Sequence, residues 1–446
     1  MNFKKLAALL LLSVLIFAGC TQSDTPDTTT ETETTETETT EAETTDETEE
    51  TADGDVLTEL TENVEITFWH GMSGGQEETL TELTNKFIEE NENITVSLQN
   101  QGNYGDLSQK LIATMQSPNN LPTITQAYPD WVYPMVGEGL LVELDPYINH
   151  SDENFAFDNW DDILGGLRDG VIIEDKIYGI PFNKSTEVIW YNKSLMDELG
   201  LEVPTTFEEL SEVSKEIYEE KSIPGAGFDS LSNFYTTYLY NKGVEYDSNL
   251  DVTGQDSTEA AQYYMDGIEG GYFRIAGTDN YLSGPFANEQ LAMYIGSNAG
   301  ESYVAEGAEG KFEYAAAPYP ADASIQQGTD IYMFESATPE QRTAAFEYLK
   351  FLTNTESQID WALGTGYMPI RESSLNDERY SSSDSAIAPI LSDATENLYT
   401  KPLVSGSQQA YNDAGTMLEG LLSSPENNVE DALNNFKPTF ESAWQQ

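Results

Sequence analysis

Basic residues are scarce: 19 Lys and Arg stand against 79 Asp and Glu, for a formal net charge of −60. A chain of that sign is not expected to hold nucleic acid, because a phosphate backbone needs a basic footprint. Cysteine is all but absent. Cys20 is the single one, so no disulfide framework can form within the chain. His70 and His150 are the two histidines, too few for a zinc site of the His and Cys type. No EF-hand loop, dinucleotide fingerprint or P-loop is read, and no nucleophile elbow is assigned. The expectation is therefore no metal, no cofactor and no catalytic group. Long apolar runs are missing as well. The stretch from Leu6 to Phe17 is apolar but too short for a comfortable membrane span.

That stretch follows Lys4 and Lys5 and ends in Ala18, Gly19 and Cys20. The pattern resembles a bacterial lipoprotein signal over residues 1–19, with Cys20 lipidated and made the new N-terminus. Such a protein sits on the outer face of the cell membrane, or in the periplasm where there are two membranes. Residues 20–60 then read as a tether. Between Thr21 and Asp55 the chain is almost entirely Thr, Glu and Asp, with 14 acids and no base. Such a segment has nothing to bury, and its like charges repel.

From Val64 onward, strand patterns alternate with helical ones. Val64 to Trp69 reads as a strand, His70 to Gly75 as a Gly-rich turn, and Leu80, Leu83 and Phe87 mark a helix face. Ile94 to Leu98 and Pro122 to Ala127 read as further strands, with a helix between them. The alternation predicts an α/β fold with a mainly parallel sheet covered on both faces. Ligands of such sheets bind beyond the carboxyl ends of the strands. His70 to Gly75, Gly102 to Tyr104, and Tyr128 to Trp131 fall there. Later, Phe207 to Glu219 and Glu259 to Ile268 read as helices around a polar and aromatic stretch, Gly227 to Tyr240. Thr338, Pro339 and Gln341 spell a capped helix start.

One stretch connects these parts: Tyr178 to Leu201, YGIPFNKSTEVIWYNKSLMDELGL. A polar run, Asn183 to Thr186, lies between apolar flanks and needs partners if it is buried. With ITFWHGM (66–72), GNY (102–104), LAMYIGS (291–297) and GTGYMPI (364–370), this segment resembles the solute-binding proteins of ABC importers, family 1. The glycerol-3-phosphate type is the nearer of its branches. The resemblance implies a two-lobed periplasmic-binding-protein-like fold of type II, with hinge-linked lobes around a ligand cleft. It places the N-terminal lobe at 61–181 and 297–348, and the C-terminal lobe at 182–296 and 349–446. It also implies a monomer that hands a carbohydrate or polyol-phosphate ligand to the transmembrane subunits of an ABC permease.

Carried over by position, the family's ligand residues fall on Tyr104, Ser185, Ser297, Gly328 and Tyr367. Its cleft tryptophan falls near Phe228, its glutamate at Pro129 beside Asp130, and its arginine near Gln408. A phosphate dianion needs charge-assisted donors, and Lys184 and His70 are the candidates to supply them. Asp130 with Trp131 suits a sugar, by hydrogen bonds and ring stacking. Two other readings stand beside this one. A secreted glycoside hydrolase would need two carboxylates at a set separation. A lipid-anchored sensor or adhesin could use the same fold without transport.

Overall fold

The computed structural model describes residues 56–445. Cys20, the signal and most of the acidic tether lie outside them. Strand β1 (Val64–His70) leads into helix α1 (Gly75–Glu90), then β2 (Ile94–Asn100), α2 (Tyr104–Thr114) and β3 (Ile124–Ala127). β1 pairs in parallel with β2 and with β3. Helix α3 (Pro129–Gly137) follows directly, and its N1 proline supplies a preset φ where no N–H is needed.

The stretch from Gly179 to Asn192 is one continuous strand, β4, where sequence suggests a polar loop followed by a short strand. Its first half pairs antiparallel with β7 (Ser324–Met333). Its second half pairs antiparallel with β5 (Met293–Ser297) and β6 (Tyr314–Pro318). β7 in turn lies antiparallel to β3. The large sheet is thus mixed, not mainly parallel: three parallel strands are joined to antiparallel ones by chains that cross between lobes. A two-residue strand, β8 (Leu398–Tyr399), adds to β7.

β4 alternates its side chains between two cores, as a strand must. Val188 and Trp190 join a core built around Ile66, Phe68, Phe87 and Trp361. Ile189 joins a second core with Met293 and Ile295. Helices α4 (Phe207–Lys221), α5 (Leu231–Asn241) and α6 (Gln255–Gly270) pack around that second core. Helix α5 was not expected. Every residue from Ser232 to Leu239 is buried, so its sequence carries no polar stripe to betray a helical period.

Helix α7 (Pro339–Leu352) starts with the expected capping box of Thr338 and Gln341. It and α8 (Thr355–Thr365) supply Leu349, Ile359 and Trp361 to the first core, and Leu391 follows them there. Residues of the segment 349–394, expected with the C-terminal lobe, thus share a core with Ile66 and Phe68 as well as with Leu282, Phe286 and Tyr294. α9 (Ser407–Leu422) and α10 (Val429–Ala443) pack on the second core. The strands at 293–297 and 314–318 pair with the far half of β4.

Candidate ligand-binding site

Where β4 and β7 pair, their side chains open onto a cavity of about 250 Å³. Asp130 enters it from the first turn of α3, where a carboxylate complements the positive helix end. Ser185 comes from β4, and Gly328 from β7. Gly328 has φ +96, and a Cβ there would sit 2.1 Å from the carbonyl oxygen of Asn183. Only glycine lets the two strands approach so closely. Asn233 of α5 and Tyr411 of α9 form the opposite wall.

Tyr367 completes the cavity. Gly366 ends α8 in the left-handed conformation, with φ 78. The following chain then docks on β4, the Met368 N–H donating to the Lys184 carbonyl at 2.9 Å. Asn298 clamps the turn, donating to the Gly366 carbonyl at 3.0 Å and accepting from the Thr186 N–H at 2.8 Å. The Tyr367 ring stacks on Trp361, which stacks on Phe182. Its hydroxyl pairs with that of Tyr104 at 3.0 Å.

Of the residues expected at the site, Asp130, Ser185, Ser297, Gly328 and Tyr367 line this cavity. Tyr104 does not. Its hydroxyl is held by Tyr367, Asn183 and Gln126, one layer behind the wall. Trp131 packs on Tyr104 and Tyr128 and is likewise absent from the lining.

Three expectations are corrected. The Lys184 side chain is fully buried on the other face of β4, donating to Asp330 at 2.9 Å and to the Gly328 carbonyl at 3.3 Å. It is an internal ion pair and offers nothing to a ligand. Phe228 is buried in the second core against Phe234 and Tyr264. His70 is fully buried beside Phe68, with neither ring nitrogen hydrogen-bonded. Burial pulls its pKa down, partly offset by Glu77; a neutral imidazole there cannot hold a phosphate.

The cation of this cavity is Lys401, which sequence reasoning passed over although it sits just ahead of the PLVSGSQQ stretch. Its Nζ lies 3.7 Å from Asp130, donates to Gln408 and stands 4.6 Å over the Tyr411 ring. Burial pulls its pKa down while Asp130 raises it.

A second cavity, about 520 Å³, shares Ser297, Ala299, Gln327 and Tyr367 with the first. Glu187 and Asp229 belong to its wall. Glu187 follows Ser185 by two on β4 and so shares its face, a signal that could have found it. It accepts from Asn233 Nδ2 at 2.8 Å. Burial, with Asp229 adding, pushes its carboxyl up to about 8. Burial likewise pushes Asp229 up to about 7, against the Leu282 N–H that donates to it.

The expectation of no nucleophile elbow is corrected: Gly71 to Gly75, GMSGG, matches the G-x-S-x-G pattern between β1 and α1. No imidazole serves Ser73: His70 makes no hydrogen bond through its ring, and His150 Nδ1 accepts from the Asp152 N–H. No Ser-His pair is built there.

A family model described as bacterial extracellular solute-binding protein matches residues 82–389. A glycerol-3-phosphate-binding periplasmic protein, UgpB of Rhizobium meliloti, is 24% identical over 330 residues, covering 69% of this chain and 75% of its own. Among solved structures, the cyclic alpha-maltosyl-1,6-maltose binding protein of Arthrobacter globiformis superposes with TM-score 0.73 at 22% identity, over 86% of this chain and 99% of its own. UgpB of Mycobacterium tuberculosis, in complex with glycerophosphocholine, gives 0.73 at 20% identity, over 86% and 99%. The sugar-binding protein MalE of Xanthomonas citri gives 0.74 at 20%, over 86% and 98%. The fold is the two-lobed one of these proteins.

Proposed function

The chain belongs to the family of bacterial extracellular solute-binding proteins, and on that premise we propose that it captures a carbohydrate-type ligand for an ABC importer. Lobe closure traps the ligand, and a permease receives it. Lipid on Cys20 holds the receptor at the membrane. The observation that carries this reading is the two-sided lining of the first cavity. Asp130 reaches it from one lobe, and Asn233 and Tyr411 from the other, with Ser185 on the crossing strand between them. Contacts made to both walls exist only when the lobes are closed, so a ligand shifts the equilibrium toward closure.

Charge narrows the ligand. Lys401 is the one cation among the described residues lining the two cavities, against Asp130, Glu187 and Asp229. A phosphate dianion would meet three carboxyl groups and one paired ammonium, too few donors of positive charge to replace its hydration. Hydroxyl, amide and tyrosine groups suit a saccharide instead. A thermal-shift screen of oligosaccharides, glycerophosphodiesters and glycerol 3-phosphate tests this. An oligosaccharide should raise the melting point and glycerol 3-phosphate should not; the opposite ranking would overturn the assignment. Two carboxylates in a cleft also invite the hydrolase reading. A receptor returns its oligosaccharide intact after prolonged incubation, whereas sugar release that Glu187→Gln abolishes would mark an enzyme.

A further inference from the structure

The second cavity holds a feature that capture of a neutral sugar does not use. Glu187 is 1% exposed. One of its carboxylate oxygens takes the Asn233 amide, and the other, Oε2, has no hydrogen-bond partner. Asp229 stands in the same wall, its Oδ1 accepting from the Leu282 N–H at 2.6 Å. Gly296 makes room for it, since a Cβ there would lie 2.6 Å from Asp229 Oδ2. No Lys, Arg or His is among the described residues that line this cavity. Two carboxylates, one of them with an unpaired oxygen, thus face a space to which the protein brings no counter-charge. Burying such groups is costly unless something positive arrives.

Aromatic rings surround that space. Tyr294 and Tyr367 are nearly buried within it, while Tyr281 and Tyr303, 68% and 70% exposed, stand at the wall with most of their surface in water. Tyrosine faces attract a cation, more strongly once it is desolvated. We propose that this cavity is a subsite for an organic cation, a protonated or quaternary amine carried by the ligand and held between Glu187 and Asp229. The proposal rests on the carbohydrate reading of the adjoining cavity and makes the ligand an amine-bearing one. The raised pKa of both carboxyls agrees with the geometry, because a bound cation would restore the charge that burial disfavours. A divalent metal fits less well. No group of three or more His, Cys, Asp or Glu side chains able to hold a metal occurs among the described residues, and calcium seeks six to eight oxygens.

Calorimetric titration of the purified full chain tests the assignment, at neutral pH and matched ionic strength. The probes are choline chloride against its uncharged carbon isostere, and glucosamine against glucose, with an oligosaccharide and calcium chloride as further arms. Each amine should bind about tenfold or more tighter than its uncharged counterpart. Glu187→Gln and Asp229→Asn, on separate segments, should each remove most of that difference. Equal binding of charged and uncharged probes would overturn the subsite, and oligosaccharide binding alongside would leave the carbohydrate reading in place. Amine binding with no sugar bound would keep the subsite and overturn that reading. Calcium binding that both substitutions abolish, with no amine preference, would make the site a metal site and end the proposal.

Discussion

On the crossing strand, Asn183, Ser185 and Glu187 fall on one face, and Lys184 and Thr186 on the other. Ser185, singled out from its motif, lines the cavity. Lys184 was misplaced because residue type was weighed without the strand's period of two, which forbids both neighbours from facing one cleft. Phe228 and His70 show the same limit: sequence gives chemistry, and packing decides which way it points. Lys184→Met should therefore unfold more readily, by about 3–5 kcal/mol in a urea titration, because Asp330 is left buried without its partner. A change within experimental error would show that the pair adds little.

Glu187 sets a second expectation at this scale. Its carboxyl is held near 8 in the fold against an ordinary 4.5, with Asp229 and the hydroxyls of Tyr319, Tyr399 and Tyr411 as its coupled titratable neighbours. Below the ordinary value both folded and unfolded forms carry the proton, so the group contributes nothing. Between about 4.5 and about 8 the unfolded form ionises while the folded form resists, and stability falls as pH rises. Glu187→Gln, which keeps the Asn233 hydrogen bond, should then match the wild type in acid and exceed it above neutrality. The difference should be on the order of 3–5 kcal/mol. Parallel melting curves at both ends of that range check it, and equal stability throughout would contradict a buried, costly carboxylate.

Among the elements, the capped helix α7 and the first strands were readable because each carries a local signal: a capping box, or a period of two or of three to four. Helix α5 was not, since a helix buried all round has no polar face to set the period. β4 was half readable, its polar run suggesting a loop until β7 is seen pairing with it. The close approach of these two paired strands depends on Gly328. Gly328→Ala would force a Cβ into the Asn183 carbonyl at a positive φ, a cost above the usual 1 kcal/mol for such a site. We expect a clear drop in melting temperature together with weakened ligand binding, since Ser185 rides on the same strand pair. Retention of both would mean that the strands part without consequence.

For the whole molecule, the lobe boundaries rest on the family resemblance and not on a local pattern. Which core a late helix joins is set by three-dimensional packing, and Trp361 stacking on Phe182 has no trace in the local pattern. The N-terminal signal and acidic tether remain expectations about residues outside those described. Cys20→Ala should release the protein to the medium or leave it unprocessed, and processed protein retained at the membrane would argue against a lipid anchor. Removing residues 24–55 should change neither melting temperature nor affinity, because the segment has no apolar surface to pack.

The central claim is that one ligand is gripped from both lobes. Calorimetric titration of the oligosaccharide chosen by thermal shift, into wild type, Asp130→Ala and Asn233→Ala, tests it most directly. Asp130 belongs to one wall and Asn233 to the other. Each substitution should weaken binding by roughly 1–3 kcal/mol, about 5- to 150-fold. Affinity unchanged by either substitution would contradict a cleft that closes on its ligand.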